Sequence, residues 1–403
     1  MENRSIIASL SGLCNTMRVV PFVVCLSSLS FSAVAGPKEQ ANRLHQRLTG
    51  VPATKEVRDQ METLISNGQQ IEAALLAIED ENFYDNILKN WVKPWTNEEH
   101  SVKVPLTDYV ATVIGVIRDE TDFREILSGD IVYTAQNSGL NLPAYSIDSN
   151  DHYEQLEQAI DNDGTSLKTA LSAQSQSQLS GGVLPANATA GILTSRAAAE
   201  AFLVAGTNRA QFAYTFRDHM CREMETMGDA SGPTDRIRKD VERNPAGDST
   251  LFNTYCVKCH SQMDGNVGAW AYYDWDEEAN QIIYSQGTVR PKYSINANAF
   301  PEGYTTTDDS WVNYMRLGTN MTMGFDSQLP GSGNGAKSWG QEIANSDEFA
   351  RCQVQKAFKA TCLSNPESGM DKVAVERIAE VFKSSGYNMK RVFAETAVHC
   401  MGE

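Results

Sequence analysis

The chain has 403 residues, 41% of them hydrophobic, and a formal net charge of −17. That length exceeds what one small domain needs, so two or three packed units are expected. The acidic balance excludes binding to nucleic acid or anionic lipid through bulk charge, and leaves solubility or attraction of a basic protein partner as its uses.

Residues 1–35 read as an export signal. Arg4 and Arg18 precede an apolar run over 19–29, and Ser32-Ala33-Val34-Ala35 ahead of Gly36 supplies a small-residue cleavage site. Cleavage removes Glu2 with the two arginines and moves the net charge to −18. No other apolar stretch is long enough to span a bilayer, so no membrane insertion is expected after cleavage. The expected compartment is the periplasm, with secretion or cell-surface display as alternatives.

Apolar spacing is helical over 42–48, 55–67, 70–77 and 82–91, with breaks at Gly50-Val51-Pro52 and Gly68, and again over 106–117 and 123–128. The stretch 172–191 is rich in Ser, Gln, Gly and Ala with little to bury, which predicts a linker and a domain boundary. Beyond it Thr194 is expected to cap a helix running to Phe202, and another helix covers 212–224. A charged segment, 236–243, leads to Asp248-Ser249, an N-cap signal just before the amphipathic run Leu251, Phe252 and Tyr255. From 269 to 329 the chain becomes aromatic and turn-rich, with Trp270, Tyr272, Tyr273, Trp275, Tyr284 and Tyr293. A short strand is expected at 281–284, and most of these rings are expected in the core. Amphipathic helices follow at 346–361, 372–384 and 390–399.

The helix that begins at Asp248-Ser249 carries Cys256-Val257-Lys258-Cys259-His260, a C-x-x-C-H motif. This is the pattern of covalent c-type haem attachment, in which Cys256 and Cys259 form two thioethers and His260 supplies an axial nitrogen to iron. A zinc site would want a second ligand pair at similar spacing, and no other C-x-x-C or H-x-x-H occurs in the chain. A redox dithiol would want a βαβ context, which the local helical pattern does not offer. Attachment of haem c takes place outside the cytoplasm, in agreement with the export signal. One C-x-x-C-H means one haem, which excludes a dihaem peroxidase.

The other axial position decides the chemistry: a thioether closes the iron and makes an electron carrier, whereas an open position admits a substrate. Met321 and Met323 lie in the Gly-bounded segment 318–325, Met321 standing 61 residues beyond His260. Read as an extended loop, this segment puts both on one side, so they compete for one position, with Met321 preferred. Met263 is too close to His260 to reach the other haem face. His45, His100, His152, His219 and His399 show no ligand spacing, and the acidic run Asp274, Asp276, Glu277 and Glu278 reads as a solvated turn rather than a calcium loop. After export and haem attachment four cysteines remain, Cys221, Cys352, Cys362 and Cys400, which an oxidising compartment would pair. Sequence leaves three connectivities open; the favoured one joins Cys352 with Cys362 and Cys221 with Cys400.

Gly191-Ile192-Leu193-Thr194, Thr207-Asn208-Arg209, Cys256 to His260, Met263-Asp264 and Gly268 together resemble the planctomycete-type cytochrome c-like family. Phe349-Ala350-Arg351-Cys352, Ile378, Phe382, Ser385, Tyr387 and Phe393 resemble the helical domain that follows in that family. The resemblance covers roughly 190–403. It departs at Gly265, where the family has proline, and over 269–330. It implies one covalently bound haem c and export rather than a particular substrate.

The expected fold is mainly α. A helical N-terminal domain, 36–171, is followed by the 172–191 linker, a cytochrome c-like haem domain over 192–345 with an aromatic, turn-rich insertion, and a C-terminal helical segment, 346–403. The expected function is electron transfer by an exported monohaem cytochrome with a basic redox partner. Two alternatives share the same residues: a haem-dependent oxidoreductase with an open sixth iron site, and a structural subunit of a larger redox complex.

Overall fold

Side-chain caps set where many of the helices begin. Thr54, Thr107, Ser195, Ser346, Ser368 and Asn388 each accept a hydrogen bond from a backbone N–H in the first turn that follows. The computed structural model describes residues 35–204 and 206–402; all but the last residue of the expected export signal lies outside the described residues. The architecture is mainly helical, as expected, with three small two-stranded antiparallel sheets. The strand expected at 281–284 is present as Gln281–Tyr284, paired with Tyr273–Asp276. No helix among the described residues is long and apolar enough to cross a membrane.

The first and last described helices share a core. Helices Pro37–Thr49, Lys55–Ser66 and Gln70–Ile78 pack on one another; the first and third also pack on the last helix, Met389–Cys400, which in turn packs on Asp347–Cys362 and Gly369–Ser384. Arg43 donates to the Met401 carbonyl at 2.7 Å and Trp91 Nε1 to the Lys356 carbonyl at 3.2 Å, while Phe393 meets both Phe83 and Trp91 edge-on at 5.1 Å. The described residues form one compact unit around one principal core. Residues of the expected 36–171 domain and of the expected 346–403 segment both contribute to that core.

Residues 172–191 are not an exposed linker. Ser172–Gln174 pairs antiparallel with Val132–Thr134, and Gln176, Ser180, Leu184 and Ala190 are buried. The polar composition misleads because these groups meet protein rather than water: Asp130 accepts from the Ser175 and Ser177 hydroxyls at 2.6 and 2.7 Å. The helix Arg196–Phe202 is capped by Ser195, one position beyond the expected Thr194. The Thr194 hydroxyl instead accepts from Ala190 N and donates to Gln176 Oε1. Two helices, Asp151–Asp163 and Gly335–Ala344, arise where the sequence reading expects none. The first hides a buried stripe of His152, Tyr153, Leu156 and Ala159 in an acid-rich segment.

Most of the aromatic insertion is core, as expected: Trp270, Tyr273 and Tyr293 are buried. Asn208 Nδ2 ties them together by donating to the Trp270 and Tyr273 carbonyls at 2.9 and 3.2 Å.

The disulfides join Cys221 to Cys352 and Cys362 to Cys400, with Cα separations of 5.3 and 5.4 Å. This corrects the expected Cys352–Cys362 and Cys221–Cys400 pairing. Cys352 and Cys362 lie on one continuous helix, ten residues and so about 15 Å apart along its axis, beyond the reach of a disulfide. The Cys362–Cys400 bridge closes a 38-residue separation and clamps the last helix to the bundle. Cys362→Ser with Cys400→Ser is expected to lower unfolding free energy by about 3 kcal/mol, read as a lower urea midpoint. An unchanged midpoint would show that packing alone holds the last helix.

Candidate functional site

Asp248 starts the helix that carries the C-x-x-C-H motif, its carboxylate accepting from Thr250 N at 2.8 Å. The turn Phe252–Cys256 is π-helical, and Val257–Met263 continues as α-helix. Such local widenings concentrate at functional sites. Phe252 and Val257 bury into a small satellite core with Ile237 and Val241, against which Cys256 packs, while Met263 joins the principal core. The helix is thereby pinned on both sides, with Cys256, Cys259 and His260 half-buried along it.

Cys256 and Cys259 are unbridged, although the other four described cysteines are paired. Cys259 Sγ faces the Met224 carbonyl at 3.8 Å. Burial pushes its thiol pKa up, reinforced by Glu225 and opposed by Lys258. Among the described residues no three His, Cys, Asp or Glu side chains converge as a zinc site would need.

His260 is oriented by a residue one helical turn on. Its Nδ1 lies 3.1 Å from Asp264 Oδ1, with the imidazole 22% exposed and the carboxylate fully buried. An ionised carboxylate only accepts, so in the neutral imidazole the proton resides on Nδ1 and Nε2 is the lone-pair nitrogen. Nε2 has no hydrogen-bond partner among the described residues. Asp264 also accepts from Arg209 Nε and Nη2 at 3.0 and 3.1 Å and from Arg238 N at 3.1 Å. Arg209 Nη1 in turn donates to Asp240 at 2.8 Å. Burial would raise the Asp264 pKa, but the Arg209 guanidinium and the His260 ring overcome it and hold the carboxyl well below its usual range. Gly265 follows directly, and a Cβ there would come within 2.7 Å of the Val312 carbonyl. A side chain at this position would therefore meet the neighbouring backbone.

The segment bearing Met321 and Met323 is a 3₁₀ turn, Gly318–Met323, rather than an extended loop. With three residues per turn, positions two apart face different sides. Met323 is buried in the principal core and Met321 is 63% exposed, so the expectation that they share one side is corrected. The turn is anchored through Asp229, whose Oδ2 accepts from Thr319 N at 2.9 Å and Thr319 Oγ1 at 3.1 Å, and whose own N–H donates to the Lys258 carbonyl at 3.1 Å. Asn320 Nδ2 adds a bond to the Met227 carbonyl at 2.7 Å. Hydrogen bonds from Ser231 and Thr319 push the Asp229 pKa down to about 2. Segment 227–231 thus ties the methionine turn to the motif helix. Four of the ten exposed large apolar side chains among the described residues, Leu251, Tyr255, Leu317 and Met321, lie on the motif helix and on the chain entering and forming this turn.

The other histidines are held elsewhere: His45 by Val51 O, His100 by Asp218, His152 by Pro143 O, His219 by the Tyr109 hydroxyl and His399 by Asp371. Asp274 of the acidic run is neutralised by Arg290 and Lys292. The sequence reading assigns no role to Asp264, Arg209, Asp240 or Asp229. The i, i+4 spacing of His260 and Asp264 is the signal that marks the first of them.

The donor set fits a covalently attached haem. Two unbridged thiols precede a histidine whose one nitrogen is anchored and whose other is free, and apolar side chains stand uncovered on the flanking segments. Comparisons with protein families, with characterised proteins and with solved structures find no match for the chain.

Proposed function

We propose that the chain is an exported monohaem c-type cytochrome, akin to the planctomycete-type cytochrome c-like proteins, and that it transfers electrons. The observation that carries this reading is the set of unbridged Cys256 and Cys259 followed by His260, with His260 Nδ1 on Asp264 and Nε2 free. Cys256 and Cys259 would hold the haem as thioethers and His260 Nε2 would ligate its iron; when bound, the group supplies one-electron chemistry. Asp264 fixes the ring orientation and tautomer of His260, as outer-shell partners of histidine ligands do. Arg209 and Asp240 keep Asp264 ionised and in place. Leu251, Tyr255, Leu317 and Met321 offer apolar surface for a porphyrin edge. The two disulfides are compatible with an oxidising compartment, periplasmic or extracellular, and the acidic surface suits a basic redox partner.

One observation favours a second reading, a haem-dependent oxidoreductase with an open sixth site. A buried carboxylate on the far nitrogen makes His260 a more basic ligand, which favours oxidised, electron-rich iron. The two readings separate in the optical spectrum of the ferric protein. A far-red sulfur-to-iron band, lost in Met321→Ala and kept in Met323→Ala, is the outcome expected of a closed electron carrier with the exposed methionine as ligand. High-spin features in the unaltered protein would reject electron transfer through a closed site in favour of the open one.

A further inference from the structure

A cavity of about 980 Å³ lies between the segment 86–100 and the C-terminal helices, with no residue of the C-x-x-C-H helix in its lining. Its size is in the range of small-molecule sites. One flank is apolar, made by Ile87, Trp91, Pro94 and Val375. The other carries Lys356, Lys359, Lys372 and Arg217, together with the carboxylates Asp218, Glu223 and Glu376.

Eight of the fifteen lysines have no carboxylate within salt-bridge distance among the described residues, and three of those eight border this cavity. With 51 acidic against 34 basic residues, carboxylates are plentiful, and lysines such as Lys89, Lys93, Lys383 and Lys390 each have one within salt-bridge distance. Lys356, Lys359 and Lys372 have none among the described residues, although they border one space. Lys359 and Lys372 are exposed at the rim. Lys356 sits deeper, its ammonium 2.9 Å from the centre of the Trp95 ring and 5.3 Å from that of Trp91, with one donor used on the Asp218 carbonyl at 2.5 Å. An ammonium has three donors, and this one has only a single hydrogen-bond partner among the described residues, with the Trp95 ring against another side. Burial drives the Lys356 pKa well below its usual range, against the pull of the Asp218 carboxylate. That carboxylate is already engaged by Arg217 and His100. A desolvated cation without its own counter-ion is costly, and an anion placed beside it would offset that cost.

We infer that this cavity binds a small organic anion, a carboxylate on an apolar ring, with the acid group on Lys356, Lys359 and Lys372 and the ring against Trp91, Pro94 and Val375. Asn86, Asn90 and Asn365 on the same walls provide neutral hydrogen-bonding groups for further substituents. The site stands apart from the proposed haem chemistry.

The test is calorimetric titration of the full exported chain with 2-naphthoate, compared with its uncharged analogue 2-naphthylmethanol. A single saturable site is expected, with the alcohol binding at least about tenfold more weakly. Lys356→Met is expected to weaken naphthoate by a similar factor. Because that residue is partly buried, the exposed pair Lys359→Met with Lys372→Met provides a second variant that should fold and should also weaken binding severalfold, with little effect on the alcohol. Absence of saturable binding, equal affinity for the acid and the alcohol, or unchanged affinity in the lysine variants would each overturn the inference. Heat of binding is measured without reference to haem, so failure here and failure of the cytochrome reading are separate results.

Discussion

A Cys256→Ala, Cys259→Ala double variant is expected to be exported and folded yet to carry no covalently held haem. The expectation rests on how little the two thiols contribute to packing. The helix is held by Phe252 and Val257 in the satellite core and by Met263 in the principal one, and Cys256 only packs against the former. Neither sulfur belongs to a disulfide, so no cross-link is lost. Loss of two half-buried sulfur atoms costs on the order of 1–2 kcal/mol, whereas loss of both thioether donors abolishes attachment outright. The check is haem staining of the denatured variant on a gel beside the unaltered protein. Stain surviving in the variant would mean that the haem is attached elsewhere or that the signal is not haem.

The second large effect is at Asp264. Its buried carboxylate accepts from His260, from two nitrogens of Arg209 and from the Arg238 backbone. Asp264→Ala strands all of these donors at once, and removing one partner of a buried ion pair costs about 3–5 kcal/mol. Asp264→Asn keeps an acceptor and the shape but turns an amide N–H toward Arg209, so it is expected to fall between the two. Urea unfolding reads both. The pH dependence has a defined sign. The folded pKa of Asp264 is lowered relative to the ordinary carboxyl, so its stabilisation is complete above about pH 4, the range of an unfolded aspartate, and is lost as pH falls from there through the folded value. The difference between the native chain and Asp264→Asn should shrink on acidification below about pH 4. A native-like urea midpoint for Asp264→Ala at neutral pH would mean that the ion pair with Arg209 does not stabilise the fold. In the haem-loaded protein, removal of this negative charge is also expected to raise the reduction potential.

The parts of the fold legible in sequence are those where one rule dominates. Helices with a regular apolar stripe and a capping side chain, such as Lys55–Ser66 behind Thr54 and Asp347–Cys362 behind Ser346, stand close to where the spacing puts them. The helix Asp151–Asp163 is obscured because its buried residues are outnumbered by acids and amides. The 172–191 stretch is misread because composition reports polarity, not whether Asp130 or Gly191 waits to receive a serine or glutamine. Disulfide pairing depends on which helices come together, and no local signal says that Cys400 would lie beside Cys362 while Cys352, on the same helix, turns to Cys221. At the site, Cys256, Cys259 and His260 stand out because they fall within five consecutive residues as a C-x-x-C-H pattern. The residues that orient His260 come from distant segments, Arg209 lying 55 positions before Asp264, and only folding brings them together. The methionine turn shows the same limit: spacing places Met321 and Met323 in one segment, but the 3₁₀ conformation that separates their faces follows from anchoring on Asp229.

The most direct measurement is a pyridine haemochrome spectrum of the exported, purified chain after extraction with acidified acetone. One haem per chain that resists extraction, with the reduced band at the position of a doubly thioether-linked haem, is the expected result. A chain without haem, or haem that passes into the acetone, would contradict attachment at Cys256 and Cys259 and with it the cytochrome reading.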